Sequence, residues 1–283
     1  MKILFTGCAG NIAQRGVYPA LEEIGNPYEI VEFDRLTTGD HLEKLKDLKK
    51  AIKGCEMVMH LAAIPGAFMG DAPKYWRDNV IGMYNLLTAA QEEGVKRVVL
   101  GSSVAYYGVD TGDDNHPYIG PMFLPITEDH PTIILRDGKV VWEYDTTKIC
   151  LESVARWSYW KFDRILLRYG NPCDTDQDFY NKMGRSAEQY ANLRPDLAAI
   201  DLEACKAINS GRATVRALTC NIDNYRDNAT GFSCVSVNVV LPKPTEPVRE
   251  ILEMKFPGVP IIKEPLNIYD TDRCTELFGD LEK

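Results

Sequence analysis

An α/β fold, a doubly wound parallel sheet with a small mixed C-terminal lobe, is predicted from three observations. The chain opens on an apolar run that breaks into a glycine loop, Met1 to Ala13 (MKILFTGCAGNIA). Strand-like apolar runs then alternate with helical patterns as far as about residue 170. Beyond Asn171 the alternation gives way to a proline-punctuated mixture. Alternation of this kind closes into a parallel sheet with right-handed crossovers and helices on both faces.

The elements follow in order. Lys2-Ile3-Leu4-Phe5 reads as a buried strand and Asn11 to Ile24 as the helix after the loop. Gly7 permits the tight turn and Gly10 lets the backbone approach a pyrophosphate. The free N–H groups at the helix start, around Asn11 and Ile12, then face the anion, as in a Rossmann-type cradle. Ala13 keeps the third position small. A second strand, Tyr28 to Phe33, ends at Asp34. An acid there accepts hydrogen bonds from the adenosine ribose and repels a 2′-phosphate, which favours NAD. Arg15 and Arg35 can each pair with a phosphate, so NADP stays open.

Glu43 to Lys53 reads as a helix, Met57 to Leu61 as a strand, Pro73 to Glu93 as a helix and Arg97 to Gly101 as a strand. Trp142 to Lys161 is a long helix and Ile165 to Tyr169 the next strand. Pro195 to Asn209 looks helical, Cys234 to Val240 like a late strand and Thr271 to Phe278 like a last helix. Residues 1–170, joined by the helix and strand near 196–241, are expected to form the dinucleotide-binding domain. Residues 171–195 and 242–283 are expected to form the substrate lobe.

Composition narrows the class. A formal net charge of -9 over 283 residues argues against a nucleic-acid surface, which needs a basic face. No apolar run is long enough to span a membrane, and the opening strand leaves no room for a signal peptide, so a cytoplasmic protein is expected. The eight cysteines are scattered without a C-x-x-C pair, and only four histidines are present. Free thiols and no metal site follow.

The chemistry-bearing residues are Ser103, Tyr144 and Lys148. Tyr144 and Lys148 lie four apart in a predicted helix and share a face. Free tyrosine titrates near ~10, so working as an acid/base near neutrality needs roughly 4 kcal/mol of preferential phenolate stabilisation. A lysine ammonium one turn away and a positively charged nicotinamide could supply that field. Ser103, at the C-terminal end of a predicted strand, could hold a substrate oxygen beside the tyrosine; its bland alternative is a helix cap.

Taken together, Thr6 to Ala13, Asp34, His60-Leu61-Ala62-Ala63, Asn79, Ser102 to Gly108 and Tyr144-Asp145-Thr146-Thr147-Lys148 resemble, in that order, the extended short-chain dehydrogenases/reductases of the NAD-dependent epimerase/dehydratase superfamily. Leu167 to Pro172, Asp201 to Cys205 and Asp270 to Gly279 resemble its later motifs. The resemblance implies Ser103 as substrate-orienting hydroxyl, Tyr144 as acid/base and Lys148 as the lysine that binds the nicotinamide ribose and lowers the tyrosine pKa. It implies Gly7, Gly10, Asn11 and Ile12 as the pyrophosphate loop and Asp34, with Arg35 beside it, at the ribose. It places Leu61, Ala62 and Ala63 along the cofactor, Asn79 and Tyr169 near the nicotinamide half, and Asn171 on substrate. A sugar-like substrate and a homodimer through the helices around 73–93 and 142–161 are implied too.

Three departures from that pattern stand out. Only 26 positions separate Asp34 from His60, so one edge strand is expected to be missing, with Asp40 and His41 falling near the adenine end. Arg136-Asp137-Gly138 between β-branched runs predicts a hairpin over 132–142. The stretch from Asn171 to Asp201 is short, with Lys182, Arg185 and Arg194 as its basic residues, which suits a free sugar or sugar acid better than a nucleotide sugar. Competing readings are a nucleotide-sugar epimerase, an NADP-dependent carbonyl reductase and a non-catalytic dinucleotide-binding redox sensor.

Overall fold

The computed structural model describes residues 1–66, 72–108, 121–133, 143–172, 204–240, 253, 256, 258–263 and 268–283. A six-stranded parallel sheet runs β2-β1-β3-β4-β5-β8, from β1 (Lys2–Thr6), β2 (Glu29–Phe33), β3 (Met57–His60), β4 (Arg97–Ser103), β5 (Asp163–Tyr169) and β8 (Cys234–Val239). Two short strands, β6 (Asn171–Pro172) and β7 (Ala204–Cys205), pair separately. The helices are α1 (Tyr18–Glu23), α2 (Leu45–Ala51), α3 (Ala72–Tyr75), α4 (Gly82–Glu93), α5 (Glu143–Ala155), α6 (Ala207–Ala217) and α7 (Asp272–Phe278). π-helical turns, Ala13–Val17 and Trp76–Ile81, lead into α1 and α4.

Strand periodicity explains the two layers. Ile3, Phe5, Met59, Val99, Ile165 and Leu167 face one core layer with residues of α1, α6 and α7. Their neighbours Leu4, Val58, Val98, Leu100 and Leu166 face the other, with residues of α2, α4 and α5. A sheet buried on both faces needs such near-continuous apolar strands. On the first face the backbones come very close. A Cβ on Gly16 would lie 2.1 Å from the Ala207 carbonyl oxygen, and one on Gly211 would lie 2.0 Å from Gly16 carbonyl carbon.

Among the described residues β2 is the edge of the sheet, as the short Asp34–His60 spacing predicts. The chain after β2 lies instead against α4. Asn85 Nδ2 donates to the Leu42 and Glu43 carbonyls (3.2 Å each), and Gly82 leaves space for Leu42.

Two helix expectations are corrected. The long helix ends at Ala155 rather than Lys161. Trp160 is buried and its indole N–H donates to the Val154 carbonyl at 2.8 Å, turning the chain into β5. The aromatic cluster Trp157, Tyr159, Trp160 and Phe162 therefore lies on that turn, not within the helix. Of the helix expected over 195–209, residues 195–203 lie outside the described residues; Ala204–Cys205 is strand, and α6 begins at Ala207 and runs on to Ala217. Its inward face is made of Ala207, Ser210, Gly211 and Thr214, small residues that leave no large-apolar period to read.

Residues from the long stretch after Ser103 pack against the C-terminal part of the chain. Leu124 bridges to Ile261 and Ile126 to Tyr269, both parallel. Val104, Tyr107, Leu124, Ile126, Val240, Phe256, Ile268 and Tyr269 form a third, small apolar cluster. Helix α7 packs with the sheet layer: Cys274 and Phe278 join the first core, and Arg216 donates to the Phe278 carbonyl at 2.7 Å. The expected hairpin and the basic residues Lys182, Arg185 and Arg194 lie outside the described residues, apart from 132 and 133. No described helix is long and apolar enough to cross a membrane, and the seven described cysteines are free thiols.

Candidate active site

The C-terminal ends of the parallel strands converge on one edge of the sheet, where open α/β folds place ligands. The glycine loop follows β1 there. Gly7 has φ +76°, and a Cβ on it would lie 2.4 Å from Ala62 N, so only glycine lets this loop rest on the end of β3. Gly10 N–H donates back to the Gly7 carbonyl at 3.0 Å. Asp34 ties the loop to β2: its Oδ2 accepts from Ala9 N (3.2 Å) and its Oδ1 from Leu36 N (2.8 Å). Asn11 Oδ1 accepts from Arg15 at 3.4 Å, whereas its Nδ2 is buried without a partner among the described residues.

The loop, the Ala62-Ala63 strand end and the Asp34 carboxylate therefore stand together. Each matches what a dinucleotide requires: backbone approach at the glycines, a donor left over at Asn11, and an acceptor at the ribose position. The residues present fit the group. Asp40 accepts from the Thr38 hydroxyl at 2.5 Å, and His41 pairs with Glu43 at 3.4 Å. Arg35 is held by Asp78 at 3.6 Å.

The catalytic candidates meet at the end of β4. Ser103 Oγ accepts from Ala105 N at 3.2 Å, capping the 3₁₀ turn Val104–Tyr107, and its hydroxyl favours the ionised form of Tyr144. Lys148 is buried; its Nζ donates to the Gly101 carbonyl at 2.7 Å and lies 5.4 Å from the Tyr144 ring centroid.

Electrostatics here differ from the sequence expectation. Burial pushes Tyr144 up to about 12, and the Ser103 hydroxyl pulls the other way. Burial draws Lys148 down to about 8, opposed by the Glu152 carboxylate one turn along α5. With Lys148 5.4 Å from its ring centroid, burial still dominates at Tyr144. A positive charge delivered beside Tyr144 lowers it.

Two other predicted cofactor residues have structural tasks. Asn79 is buried, with Oδ1 accepting from Ile64 N (2.7 Å) and Nδ2 donating to the Ile64 carbonyl (3.1 Å) and Thr147 Oγ1 (3.2 Å). It pins the segment after β3 to α5. Tyr169 shares a 2.6 Å hydrogen bond with Thr214 Oγ1, so it offers the ring beside Gly101 rather than its hydroxyl. Asn171 is described only as backbone of β6, and its expected substrate contact lies outside what the structure describes.

His60, from the His-Leu-Ala-Ala motif, is buried with Nδ1 2.6 Å from Thr6 Oγ1. Burial, then the nearby Lys148, holds its pKa down to about 3. The folded state therefore keeps His60 neutral where the unfolded chain protonates it. This contribution to stability is complete above about pH 6.5 and is lost as pH falls towards 3. Replacing His60 by Gln should reduce the acid dependence of unfolding free energy by up to about 1.4 kcal/mol per pH unit within that window. Denaturant titrations at a series of pH values check it; parallel pH profiles would contradict it.

A buried network behind the site went unread in the sequence. Arg168 donates to both Glu152 oxygens (2.8 and 2.7 Å), to Tyr107 Oη (2.7 Å) and to the Glu128 carbonyl (2.9 Å). Ser102 and Ser236 hydroxyls also donate to Glu152, at 2.7 and 2.9 Å. Tyr107 Oη donates in turn to Asn238 Oδ1 at 2.6 Å. Burial opposes ionisation of Glu152, but Arg168 and Ser102 together hold its carboxyl below the usual range. An arginine inside the apolar run Ile165 to Tyr169, and a glutamate four after Lys148, were the available signals.

A profile of the NAD dependent epimerase/dehydratase family matches residues 3–191. A UDP-glucose 4-epimerase of Lactobacillus helveticus is 31% identical over 219 residues, covering 70% of this chain and 59% of the relative. One from Bacillus subtilis is 29% identical over 204 residues, covering 61% of this chain and 53% of the relative. The matches thus span little more than half the length of these curated relatives. Among solved structures, a short-chain dehydrogenase/reductase superfamily protein of Agrobacterium tumefaciens with bound NAD superposes with TM-score 0.65 at 22% identity, covering 99% of this chain and 92% of that one. A UDP-glucose 4-epimerase of Thermotoga maritima with UDP-glucose gives 0.63 at 19% identity, with 99% and 93% covered. These structural likenesses speak for the fold, and the profile over residues 3–191 for the lineage: the chain belongs to the NAD dependent epimerase/dehydratase family.

Proposed function

We propose that this protein is an NAD-dependent enzyme acting on a secondary alcohol of a sugar or sugar-derived substrate, with Tyr144 as acid/base. The observation that carries it is the meeting of Ser103, Tyr144 and Lys148 at the strand ends that also hold the glycine loop. When bound, the dinucleotide supplies a hydride acceptor and, oxidised, a positive charge. Gly7, Gly10, Asn11, Ile12, Asp34, Leu61, Ala62 and Ala63 hold it. Lys148 bears on its nicotinamide ribose. Asn79 and Tyr169 shape that end through Ile64 and Gly101.

The Ser103 hydroxyl orients the substrate hydroxyl towards Tyr144 Oη, which takes its proton and later returns it. Proton transfer of this kind contributes typically about 10²–10⁴-fold. Whether the keto product leaves or is reduced on its other face separates a dehydrogenase from an epimerase. The curated relatives named UDP-glucose 4-epimerase support epimerisation of a nucleotide sugar. The short stretch 171–201 supports a smaller substrate, a free sugar or uronate. Calorimetry separates the two: micromolar binding of a UDP-sugar supports the first, and its absence with binding of a free uronate supports the second.

A homodimer completes the proposal. Trp76, Ile81, Tyr84, Trp157 and Tyr159 are large apolar side chains left exposed on and beside α4 and α5, with Trp157 at 48% and Tyr159 at 64%. A second copy covering this patch is supported by its aromatic composition. Sedimentation equilibrium should give twice the chain mass; a monomer at all concentrations would contradict it.

A further inference from the structure

The truncated edge of the sheet has a consequence at the residue after the ribose acid. Arg35 directly follows Asp34 at the C-terminal end of β2. A guanidinium at that point is where a 2′-phosphate could be met, since arginine suits phosphate through paired, charge-assisted hydrogen bonds. Here it is engaged elsewhere. Arg35 NH1 lies 3.6 Å from Asp78 Oδ2, with the arginine side chain 49% exposed and the aspartate 16%. The other oxygen, Asp78 Oδ1, accepts from Arg77 Nε at 2.7 Å.

The fold explains why these two residues meet. No described strand follows β2 on the sheet edge, and the chain after Asp34 folds over α4. Leu42 lies against Gly82, and Asn85 holds the Leu42 and Glu43 carbonyls. That packing brings the turn after β2 against the π-helical segment Trp76–Ile81, which carries Asp78. The edge therefore presents two carboxylates, Asp34 and Asp78, with Arg35 and Arg77 both on Asp78.

We propose that Asp78 is a coenzyme-specificity residue: by holding Arg35, it withdraws the cation that would otherwise accept a 2′-phosphate, and so reinforces the preference for NADH over NADPH. Asp34 repels the extra phosphate directly, and Asp78 removes its partner. The inference rests on the dinucleotide reading of the glycine loop. Asp78 itself makes no contact with the dinucleotide in this account, so NADH affinity reports on the integrity of the site independently.

The test is equilibrium titration of NADH and NADPH, by cofactor fluorescence, against wild type, Asp78→Ala, Arg35→Ala and the double variant. Wild type should bind NADH more tightly. Asp78→Ala should strengthen NADPH binding about twofold to fivefold while changing NADH by less than about twofold. Arg35→Ala in the same chain should cancel the gain, because the guanidinium that Asp78 held is then absent. An unchanged NADPH affinity in Asp78→Ala, or a gain that survives in the double variant, would overturn the proposal. Tighter NADPH binding by wild type would overturn it while leaving the dinucleotide site intact. A wild type that binds neither cofactor would overturn the dinucleotide reading itself.

Discussion

Tyr144→Phe should bind NADH within about threefold of wild type while turnover falls by about 10²–10⁴-fold. The substitution removes one hydroxyl and keeps the ring, which packs edge-on to Tyr75 at 6.5 Å and beneath Lys148. The glycine loop and Asp34 do not touch that hydroxyl, so cofactor affinity has no reason to change. The loss falls on proton transfer alone. A companion, Ser103→Ala, should also reduce turnover, but it removes the cap on Ala105 N and so costs about 1 kcal/mol of stability as well. Steady-state kinetics beside cofactor titration checks the pair. Equal turnover by Tyr144→Phe and wild type would contradict the acid/base role of Tyr144.

Glu152→Ala should be the most destabilising single change at the site, by about 3–5 kcal/mol. Arg168 is almost wholly buried and gives Glu152 two of its hydrogen bonds, so removing the carboxylate strands a guanidinium in the interior. Ser102 and Ser236 lose their acceptor at the same time. The effect should reach function through Lys148, which Glu152 helps to keep charged against burial. Once the carboxylate is gone, Lys148 should deprotonate below about 8. Stability is read by chemical denaturation and the lysine by the alkaline limb of the pH–rate profile. Replacing Glu152 and Arg168 together by apolar residues should cost far less than Glu152→Ala, because no lone charge remains. A Glu152→Ala protein as stable as wild type would contradict the network's role.

The strands were readable because each is short, apolar and followed at once by a turn or a helix. Their alternation between two core layers left little freedom in assigning the sheet. The missing edge strand was readable for a simpler reason: the span from Asp34 to His60 is too short to hold another crossover. The extent of α6 from Ala207 to Ala217 was not read because its packing face is built largely from small residues such as Ala207, Ser210, Gly211 and Thr214. Close backbone approach to Gly16 replaces large side chains there, and hydrophobic periodicity carries no signal of it. Helix α5 was drawn too long because Trp157, Tyr159 and Trp160 look like a continuing apolar face, whereas Trp160 caps the helix through its indole.

At the candidate site, Ser103, Tyr144 and Lys148 were picked out because chemistry restricts which residues can do such work and where strands end. Asn79 and Tyr169 were legible by position only, since their polar groups turn out to bind Ile64, Thr147 and Thr214. The Glu152–Arg168 network and the Arg35–Asp78 pair join residues 16 and 43 positions apart. Such pairings are set by which elements pack together, and a single sequence does not display that.

The most direct test of the central claim is to incubate the protein with NAD and a panel of UDP-sugars, free sugars and uronates. NADH absorbance and product stereochemistry are followed together. Net NADH, or inversion at one carbinol carbon without net NADH, is the result expected, and either signal should collapse in Tyr144→Phe. A wild-type protein that binds NAD yet produces neither signal with any member of the panel would contradict the assignment of hydride chemistry at a sugar alcohol.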